Sequence, residues 1–356
     1  MKIAFFGSSL VSAYWNGAAT YYRGLLRALH ERGHEITFYE PDAYERQKHR
    51  DIEDPPYARV VVYSARAEAD ALQALKQASS SDLVVKASGV GVFDALLEQA
   101  VVEQRAAGAL VAYWDVDAAA TLERIDKHRE DSLRSLIPQY DAIFTYGGGD
   151  GVVNAYREFG AKRCYPIYNA LDPSTHFPVA PVARFAGVLG FLGNRLPDRE
   201  ERVREFFFTP ALEHGDKRFL LGGSGWENNV PERDNISYLG HVYTRDHNAF
   251  NCTLLAVLNI CRDSMARRGF SPPTRLFEAA GAAACVITDA WHGIEYFLEP
   301  GRECLVAKNG GEVGEILRDL PEVRAREIGK AALRRIRAQH TYAQRAEQVE
   351  AILAEL

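Results

Sequence analysis

The sequence predicts an α/β protein made of two doubly wound, Rossmann-like domains. The chain has 356 residues, and a single core rarely grows beyond about 250 to 300 residues, which favours two domains. Strand-like apolar runs alternate with helix-like runs, as in parallel sheets that helices cover on both faces. The alternation stops at residues 172–181, where three prolines cannot continue a helix or a central strand. We therefore expect domains at 1–172 and 184–340, joined by a linker at 173–183.

The first domain opens with an apolar strand at residues 3–6, followed by a helix at 20–32 that Gly33 ends. The remaining strands of this domain are predicted at residues 35–39, 60–63, 83–86, 110–114, 142–146 and 163–167. Helical patterns lie between most of them, so these strands form one doubly wound sheet.

A second alternating series begins at residue 187. Its strands are predicted at residues 187–193, 219–221, 236–239, 254–260 and 285–288. The tail from Glu312 is helical and ends in a helix at 341–356, where Tyr342, Ala346, Val349 and Ile352 recur at helical spacing.

Composition excludes several classes of protein. Lys plus Arg number 42 and Asp plus Glu number 48, a net charge of −6, so no overall positive field would hold a nucleic acid. No apolar run reaches the roughly 18 to 20 residues that span a bilayer. The five cysteines show no disulfide or zinc spacing, and the ten histidines show no HExxH or HxH spacing; we predict His128, His214 and His247 on the surface. We expect a cytoplasmic protein without a bound metal or cofactor.

The most informative segment runs from Ser271 to Asp289. Ser271 and the two prolines after it indicate a helix start. Arg275 and Glu278 then lie three residues apart on one helical face. A guanidinium at a helix N-terminus suits a diphosphate, and a carboxylate suits a ribose diol. The alternative from spacing alone is an ordinary surface ion pair.

Two acids follow a predicted strand of the first domain. Asp115 and Asp117 stand at its carboxyl end, where open α/β sheets place their ligands. Either one could accept a proton from a substrate hydroxyl. Alternatively, they bind hydroxyl groups or cap the helix that begins near Thr121.

The loop after the first strand is rich in small residues, with Gly7, Ser8 and Ser9 followed by Asn16 and Gly17. It lacks the GxGxxG and GxxxxGK[ST] patterns, so nicotinamide and P-loop sites are disfavoured.

The second half of the chain resembles GT-B glycosyltransferases, and most of all the spore-maturation-protein-like (CgeB-like) branch of the family-4-type enzymes. The motifs that carry the resemblance are Phe191 to Arg195, Gly223 to Trp226, Leu239 to Val242, Leu258 to Arg262, Arg275 to Ala280, Val286 to Asp289, Gly293 to Glu295 and His340 to Arg345. Their order along the chain is more specific than any single motif. In the first half, Trp114 to Asp117 also resembles a segment of these proteins.

The resemblance implies two Rossmann-like domains that face each other across a cleft, with the last helix crossing back to the first domain. It assigns donor binding to Gly193, Asn194, Arg195, Arg199, Ser224, Trp226, Gly240, His241, Val242, Asn259, Arg262, Arg275 and Glu278. Within that set Glu278 would bind the ribose, Arg275 or Arg262 the diphosphate, and His241 and Val242 would flank the base.

Donor-sugar and acceptor contacts are expected from a second set. It comprises Ser8, Asn16, Gly17, Tyr146, Gly293, Ile294 and Glu295. One departure from the resemblance is notable, because many related enzymes carry a Glu eight positions before the ribose Glu, and here that position is Phe270.

The predicted activity is transfer of a sugar from a nucleoside-diphosphate sugar to an acceptor hydroxyl on a small molecule, glycan or protein, without a metal. Asp117 or Asp115 would be the base of an inverting reaction, and a diphosphate oxygen would take the proton in a retaining one. The alternatives are an epimerase of the same fold and a non-catalytic, two-lobed protein that binds a sugar or nucleotide.

Overall fold

The computed structural model describes residues Met1–Leu356 and divides into two compact units. The first unit combines Met1–Tyr168 with Tyr342–Leu356, and the second is Asn169–Thr341. Each unit has its own parallel sheet and its own apolar core. The structure therefore confirms two Rossmann-like α/β domains.

Both sheets have the strand order of a doubly wound fold. The strands are β1 Lys2–Phe6, β2 Glu35–Asp42, β3 Arg59–Ser64, β4 Leu83–Ala87, β5 Leu110–Asp115, β6 Ala142–Thr145, β7 Cys164–Pro166, β8 Leu189–Leu192, β9 Phe219–Gly222, β10 Ile236–Tyr238, β11 Ala256–Asn259, β12 Val286–Asp289 and β13 Leu305–Ala307. The first sheet has the order β3-β2-β1-β4-β5-β6-β7 and the second β10-β9-β8-β11-β12-β13. The order therefore reverses between β1 and β4 in one unit and between β8 and β11 in the other. Ligands of open α/β sheets bind at such switch points, beyond the carboxyl ends of the strands.

Helices connect the parallel strands. They are α1 Ala19–Glu31, α2 Glu68–Gln77, α3 Asp94–Glu103, α4 Ala118–Lys127, α5 Leu133–Leu136, α6 Gly149–Glu158, α7 Pro197–Val203, α8 Thr209–Glu213, α9 Thr244–Thr253, α10 Asp263–Arg268, α11 Thr274–Gly281, α12 Ile294–Phe297, α13 Gly310–Asp319, α14 Glu322–Gln339 and α15 Tyr342–Ala354. No helix is both long enough and apolar enough to cross a membrane.

Every predicted strand is present, and the sequence analysis missed one. Strand β13 has only three residues and pairs with β12 at the edge of the second sheet. An apolar run that short carries no periodicity to distinguish it from a loop.

Two predicted boundaries differ from the structure. Helix α11 starts at Thr274, so both prolines precede it, and Pro273 is its extended N-cap residue. The predicted linker is held on the second unit, because the backbone N–H of Val182 donates to Thr253 Oγ1 at 2.8 Å. The first of the two segments that form the first unit ends at Tyr168, before the predicted linker.

The last helix, α15, packs on α1 within the first unit. Arg32 and His34, which follow α1, both contact the Glu350 carboxylate, and the His34 Nε2 to Oε1 distance is 2.9 Å. The two helices approach so closely at Gly24 that a Cβ there would lie 2.1 Å from Cδ2 of Tyr342. This contact holds the C-terminus of the chain on the unit that contains its N-terminus.

We predict that Gly24→Ala lowers the free energy of unfolding by about 1 to 3 kcal/mol, the usual cost of overpacking. Gly151→Ala is the matched control, because Gly151 also lies in a helix but has open space at its Cβ; it should stabilise by up to about 1 kcal/mol. Urea unfolding followed by circular dichroism measures both. Equal stability of the two variants would contradict this account of the α1–α15 contact.

Candidate functional site

The polar residues of the second unit gather at the carboxyl edge of its sheet. Leu192 ends β8 and Asn259 ends β11, and these neighbouring strands flank the point where the strand order reverses. The loops that follow them carry four of the residues predicted to bind the donor, namely Gly193, Asn194, Arg195 and Arg262.

Arg275 spans this switch point. It lies in the first turn of α11, and its Nε donates to the carbonyl oxygen of Leu192 while Nη1 lies 3.4 Å from Oδ1 of Asn259. Its guanidinium carbon is 4.7 Å from the centre of the Phe191 ring. A side chain at Gly193 would collide with it, since a Cβ there would lie 2.8 Å from Nη2. One side chain of α11 therefore joins the ends of both strands.

A second guanidinium, that of Arg199, lies on the same aromatic ring. Its carbon is 5.5 Å from the centre of Phe191, and its Nη2 donates to the carbonyl oxygen of Asn194. Burial, with a smaller contribution from the neighbouring Arg275, lowers the pKa of Arg199 to about 9. Burial also lowers the pKa of Arg275.

Neither Arg199 nor Arg275 forms an ion pair with a carboxylate. Arg199 is buried and Arg275 half-buried, and a cation removed from water without a direct carboxylate partner is costly, so this pair favours an anionic ligand beside the loop after β8. The other two predicted arginines differ, because Arg195 pairs with Glu200 at 2.6 Å and Arg262 with Asp198 at 2.5 Å.

Several predicted donor residues hold the loops in place. Oδ1 of Asn194 accepts from the N–H of Ser224 at 2.9 Å, and Nε1 of the fully buried Trp226 donates to the carbonyl of Gly193 at 2.8 Å. The carbonyl of Gly240 accepts from the N–H of Gly223 at 2.8 Å. Nδ2 of Asn259 donates to Thr288 Oγ1 at 3.0 Å. These contacts bring the loops after β8, β9 and β10 together.

Glu278 lies one turn beyond Arg275 on α11, but the two do not form an ion pair. The surface ion pair that the spacing alone allowed is therefore absent. Instead, the Glu278 carboxylate lies beside the imidazoles of His176 and His247. Nearby, the carbonyl of Val242 is 3.2 Å from Nε2 of His247, while His241 is exposed and its ring is 4.7 Å from that of Tyr243.

The structure corrects the prediction that His214 lies on the surface, because His214 is buried. His247 is half-buried, its Nδ1 is enclosed, and burial lowers its pKa. His128 is exposed, as predicted. The sequence analysis missed His176 altogether because it falls in the proline-rich segment, far along the chain from both His247 and Glu278.

The loop after β12 contains the remaining candidates of this unit. Gly293 precedes α12, the side chain of Ile294 is buried, and Glu295 is exposed in the first turn. The ring of Phe270 packs against Gly293 and lies 5.1 Å from the ring of His292. The side chain of Ile294 is therefore closed to a ligand, and an aromatic ring fills the position where the resemblance expects a Glu.

In the first unit, Asp115 is fully buried at the end of β5. Its Oδ1 accepts from Ser88 Oγ at 2.7 Å, the Asp117 N–H at 2.9 Å and Thr121 Oγ1 at 3.0 Å, and its Oδ2 accepts from the Tyr156 hydroxyl. Burial raises the pKa of Asp115, and these hydrogen bonds oppose that effect. Four donors occupy the carboxylate, which favours a structural role.

Asp117 is partly exposed and occupies the N-cap position of α4, but its side chain makes no capping hydrogen bond. Helix α4 begins at Ala118, three residues earlier than predicted. Of the two aspartates, Asp117 is the one whose carboxylate reaches solvent.

The small-residue loop after β1 is held by its own polar side chains. Ser8 Oγ donates to Oδ1 of the buried Asn16 at 2.9 Å, and Nδ2 of Asn16 donates to the carbonyls of Ser9 and Ser12. Gly17, in contrast, is exposed. Elsewhere in the unit, Tyr146 follows β6 and its ring lies 5.5 Å from that of Tyr21. For Ser8, Asn16, Gly17 and Tyr146, contact with the donor sugar or the acceptor stays a prediction.

Comparison with known proteins gives a family match in the second half of the chain. Residues 199–351 match the family described as glycosyl transferase-like, a range that begins at Arg199 and includes Arg275 and Glu278. No curated protein sequence matches the chain.

Several solved structures share the fold. Sucrose-phosphate synthase from Thermosynechococcus elongatus is 14% identical with a TM-score of 0.73, over 100% of this chain and 98% of that one. Anabaena HepE in complex with UDP-glucose is 12% identical with a TM-score of 0.69, over 100% of both chains. The lipopolysaccharide outer core galactosyltransferase WaaB is 15% identical with a TM-score of 0.59, also over 100% of both. The chain therefore has the GT-B fold of glycosyltransferases.

We predict that Asp115→Asn lowers the free energy of unfolding by about 1.5 to 3 kcal/mol, the range for hydrogen bonds to a charged group. Asp117→Asn, two residues away, should change it by less than about 0.5 kcal/mol. Urea unfolding of the two variants measures the difference. If both were equally stable, the four hydrogen bonds to Asp115 would not be structural.

Proposed function

We propose that the protein is a glycosyltransferase that transfers a sugar, by the resemblance a hexose, from a nucleoside-diphosphate sugar to an acceptor hydroxyl. The observation that carries the proposal is the pair of guanidiniums, Arg199 and Arg275, at the switch point between β8 and β11 with no carboxylate partner. A diphosphate has the charge and the oxygen acceptors that such a pair lacks.

The rest of the donor fits residues of the same sheet edge. Glu278, one helical turn from Arg275, would accept hydrogen bonds from the ribose diol, and Val242 would lie beside the base. UDP is the nucleotide we favour, since the HepE structures contain UDP or UDP-glucose. The order of the sequence motifs further supports the spore-maturation-protein-like branch.

The chemistry follows from where charge develops. When the bond between the sugar and the diphosphate breaks, negative charge grows on the leaving oxygen. Positive groups that are already in place stabilise it without reorganisation. Because two guanidiniums provide that charge, the transfer would need no metal ion.

The acceptor hydroxyl must also lose a proton. Asp117 would be the base of an inverting reaction, because it is partly exposed, whereas Asp115 is fully buried and its carboxylate accepts from four donors. In a retaining reaction an oxygen of the leaving diphosphate would take the proton instead. We propose a small molecule, glycan or protein as the source of the hydroxyl.

Binding of a nucleoside diphosphate is the first test. We expect one of UDP, GDP, dTDP and ADP, most readily UDP, to raise the melting temperature without magnesium, while uridine alone does not. A ligand at about 100 times its Kd adds roughly 2.7 kcal/mol to the free energy of unfolding. No shift with any diphosphate, or an equal shift with uridine, would contradict the proposed role of the arginine pair.

Glu278→Ala tests the ribose contact. We predict that it weakens nucleotide binding by about 1.5 to 3 kcal/mol, measured by isothermal titration calorimetry. Glu315→Ala is the matched control, since Glu315 is an exposed glutamate on α13, and its affinity should equal that of the wild type. A folded Glu278→Ala protein with unchanged affinity would show that Glu278 does not bind the ribose.

Asp117→Asn tests the base. With water as the acceptor, sugar release from the nucleotide sugar should fall about 10²-fold or more, while the Kd for the nucleotide stays unchanged. Sugar release is measured by chromatography. An unchanged rate would exclude Asp117 as the base and favour proton transfer to the diphosphate.

A further inference from the structure

Three potential metal ligands converge in the second unit, beside α11. They are His176, which precedes β8, His247 on α9 and Glu278 on α11. One ligand atom of each lies within 4.8 Å of the others. His176 is 2% exposed, so protein encloses its side chain.

The hydrogen bond of His247 determines which of its nitrogens carries the proton. Nε2 lies 3.2 Å from the carbonyl oxygen of Val242, and a carbonyl oxygen can only accept. Nε2 therefore carries the hydrogen, and Nδ1 presents a lone pair. Nδ1 is buried and has no hydrogen-bond partner.

The same reasoning applies to His176. Its Nδ1 lies 3.0 Å from Oγ1 of Thr175, and that hydroxyl has an acceptor for its own hydrogen in the carbonyl of Asp172 at 3.2 Å. A hydroxyl that donates to the carbonyl accepts from Nδ1–H, which leaves a lone pair on Nε2. Nε2 of His176 is also buried without a partner.

The third group, the Glu278 carboxylate, offers only acceptor oxygens when ionised. Two imidazole lone pairs and a carboxylate thus face one another with no hydrogen between them. A cation resolves this conflict.

We propose that His176, His247 and Glu278 bind a divalent transition-metal ion of the zinc type. Imidazole nitrogen suits Zn²⁺, Co²⁺, Ni²⁺ and Cu²⁺, whereas Mg²⁺ and Ca²⁺ prefer oxygen ligands. In metal sites the second nitrogen of a ligating histidine usually donates to a carbonyl or another polar group. Both histidines have that arrangement here. Three protein ligands leave a fourth position open.

The site goes beyond the proposed function and does not depend on it, but the two share Glu278. A metal ion on this carboxylate withdraws it from the ribose. The ion would therefore compete with the nucleotide rather than assist the transfer, in agreement with a metal-independent reaction.

Metal uptake by the full-length protein is the test. After treatment with EDTA and its removal, Zn²⁺ is titrated without nucleotide by calorimetry, and Co²⁺ by visible absorption. We expect one equivalent to bind. His176→Gln and His247→Gln should each weaken binding about tenfold or more, while the exposed His128→Gln, the matched control, should not. Absence of uptake, or equal uptake by all variants, would overturn the proposal.

A measurement on the wild-type protein avoids any effect of the variants on folding. X-ray absorption at the zinc edge should show two imidazole ligands in the bound form, and a shell without imidazole would overturn the site. Glu278→Gln, which keeps the shape of the side chain, should also weaken Zn²⁺ binding.

The competition is tested separately and rests on the proposed function. One equivalent of Zn²⁺ should raise the apparent Kd for UDP in the wild type and in His128→Gln, but not in His247→Gln. If Zn²⁺ binds and the Kd for UDP does not change, the metal and the nucleotide do not share Glu278. If UDP fails to bind at all, the proposed function fails while the metal site stands.

Discussion

The candidate site of the second unit depends on two neighbouring guanidiniums, one buried and one half-buried, that form no direct ion pair with a carboxylate. Arg199 and Arg275 flank the ring of Phe191, and their polar contacts go to carbonyl oxygens and an amide rather than to carboxylates. Two like charges, one buried and one half-buried, cost stability unless an anion binds beside them. Gly193 leaves room for both guanidiniums, because a Cβ there would lie 2.8 Å from Arg275 Nη2 and 3.0 Å from Arg199 Nη2. The two charges therefore destabilise the free protein, and a bound anion would remove that cost.

In the first unit, by contrast, the buried carboxylate of Asp115 has hydrogen-bond donors within the protein. Asp115 ends β5, next to the strand β4 that borders the switch point, and its carboxylate accepts from four donors. A buried carboxylate with four donors stabilises the local structure. The charged group at the edge of the first sheet therefore has its partners within the protein, whereas the two arginines at the edge of the second sheet favour an anionic ligand.

Glu278 connects the two chemistries proposed for this unit. It lies one turn from the arginine that would hold the diphosphate, and next to two imidazoles whose remaining nitrogens are fixed by neighbouring oxygens. The carboxylate has no ion pair of its own, so either a ribose or a metal ion would satisfy it. A competition of this kind couples nucleotide affinity to metal supply through one side chain. No conformational change is required for that coupling.

The sequence by itself determined the fold class, all but one of the strands, and the placement of Arg275 and Glu278 on one helix. It could do so because periodicity and helix-start residues act locally. It could not tell Asp115 from Asp117, since burial depends on Ser88, Thr121 and Tyr156, which come from other elements. Nor could it show that Arg199 and Arg275 share the Phe191 ring, or that His176 meets His247. These contacts join residues far apart along the chain, and only the order of strands in the sheet and the packing of helices on it bring them together.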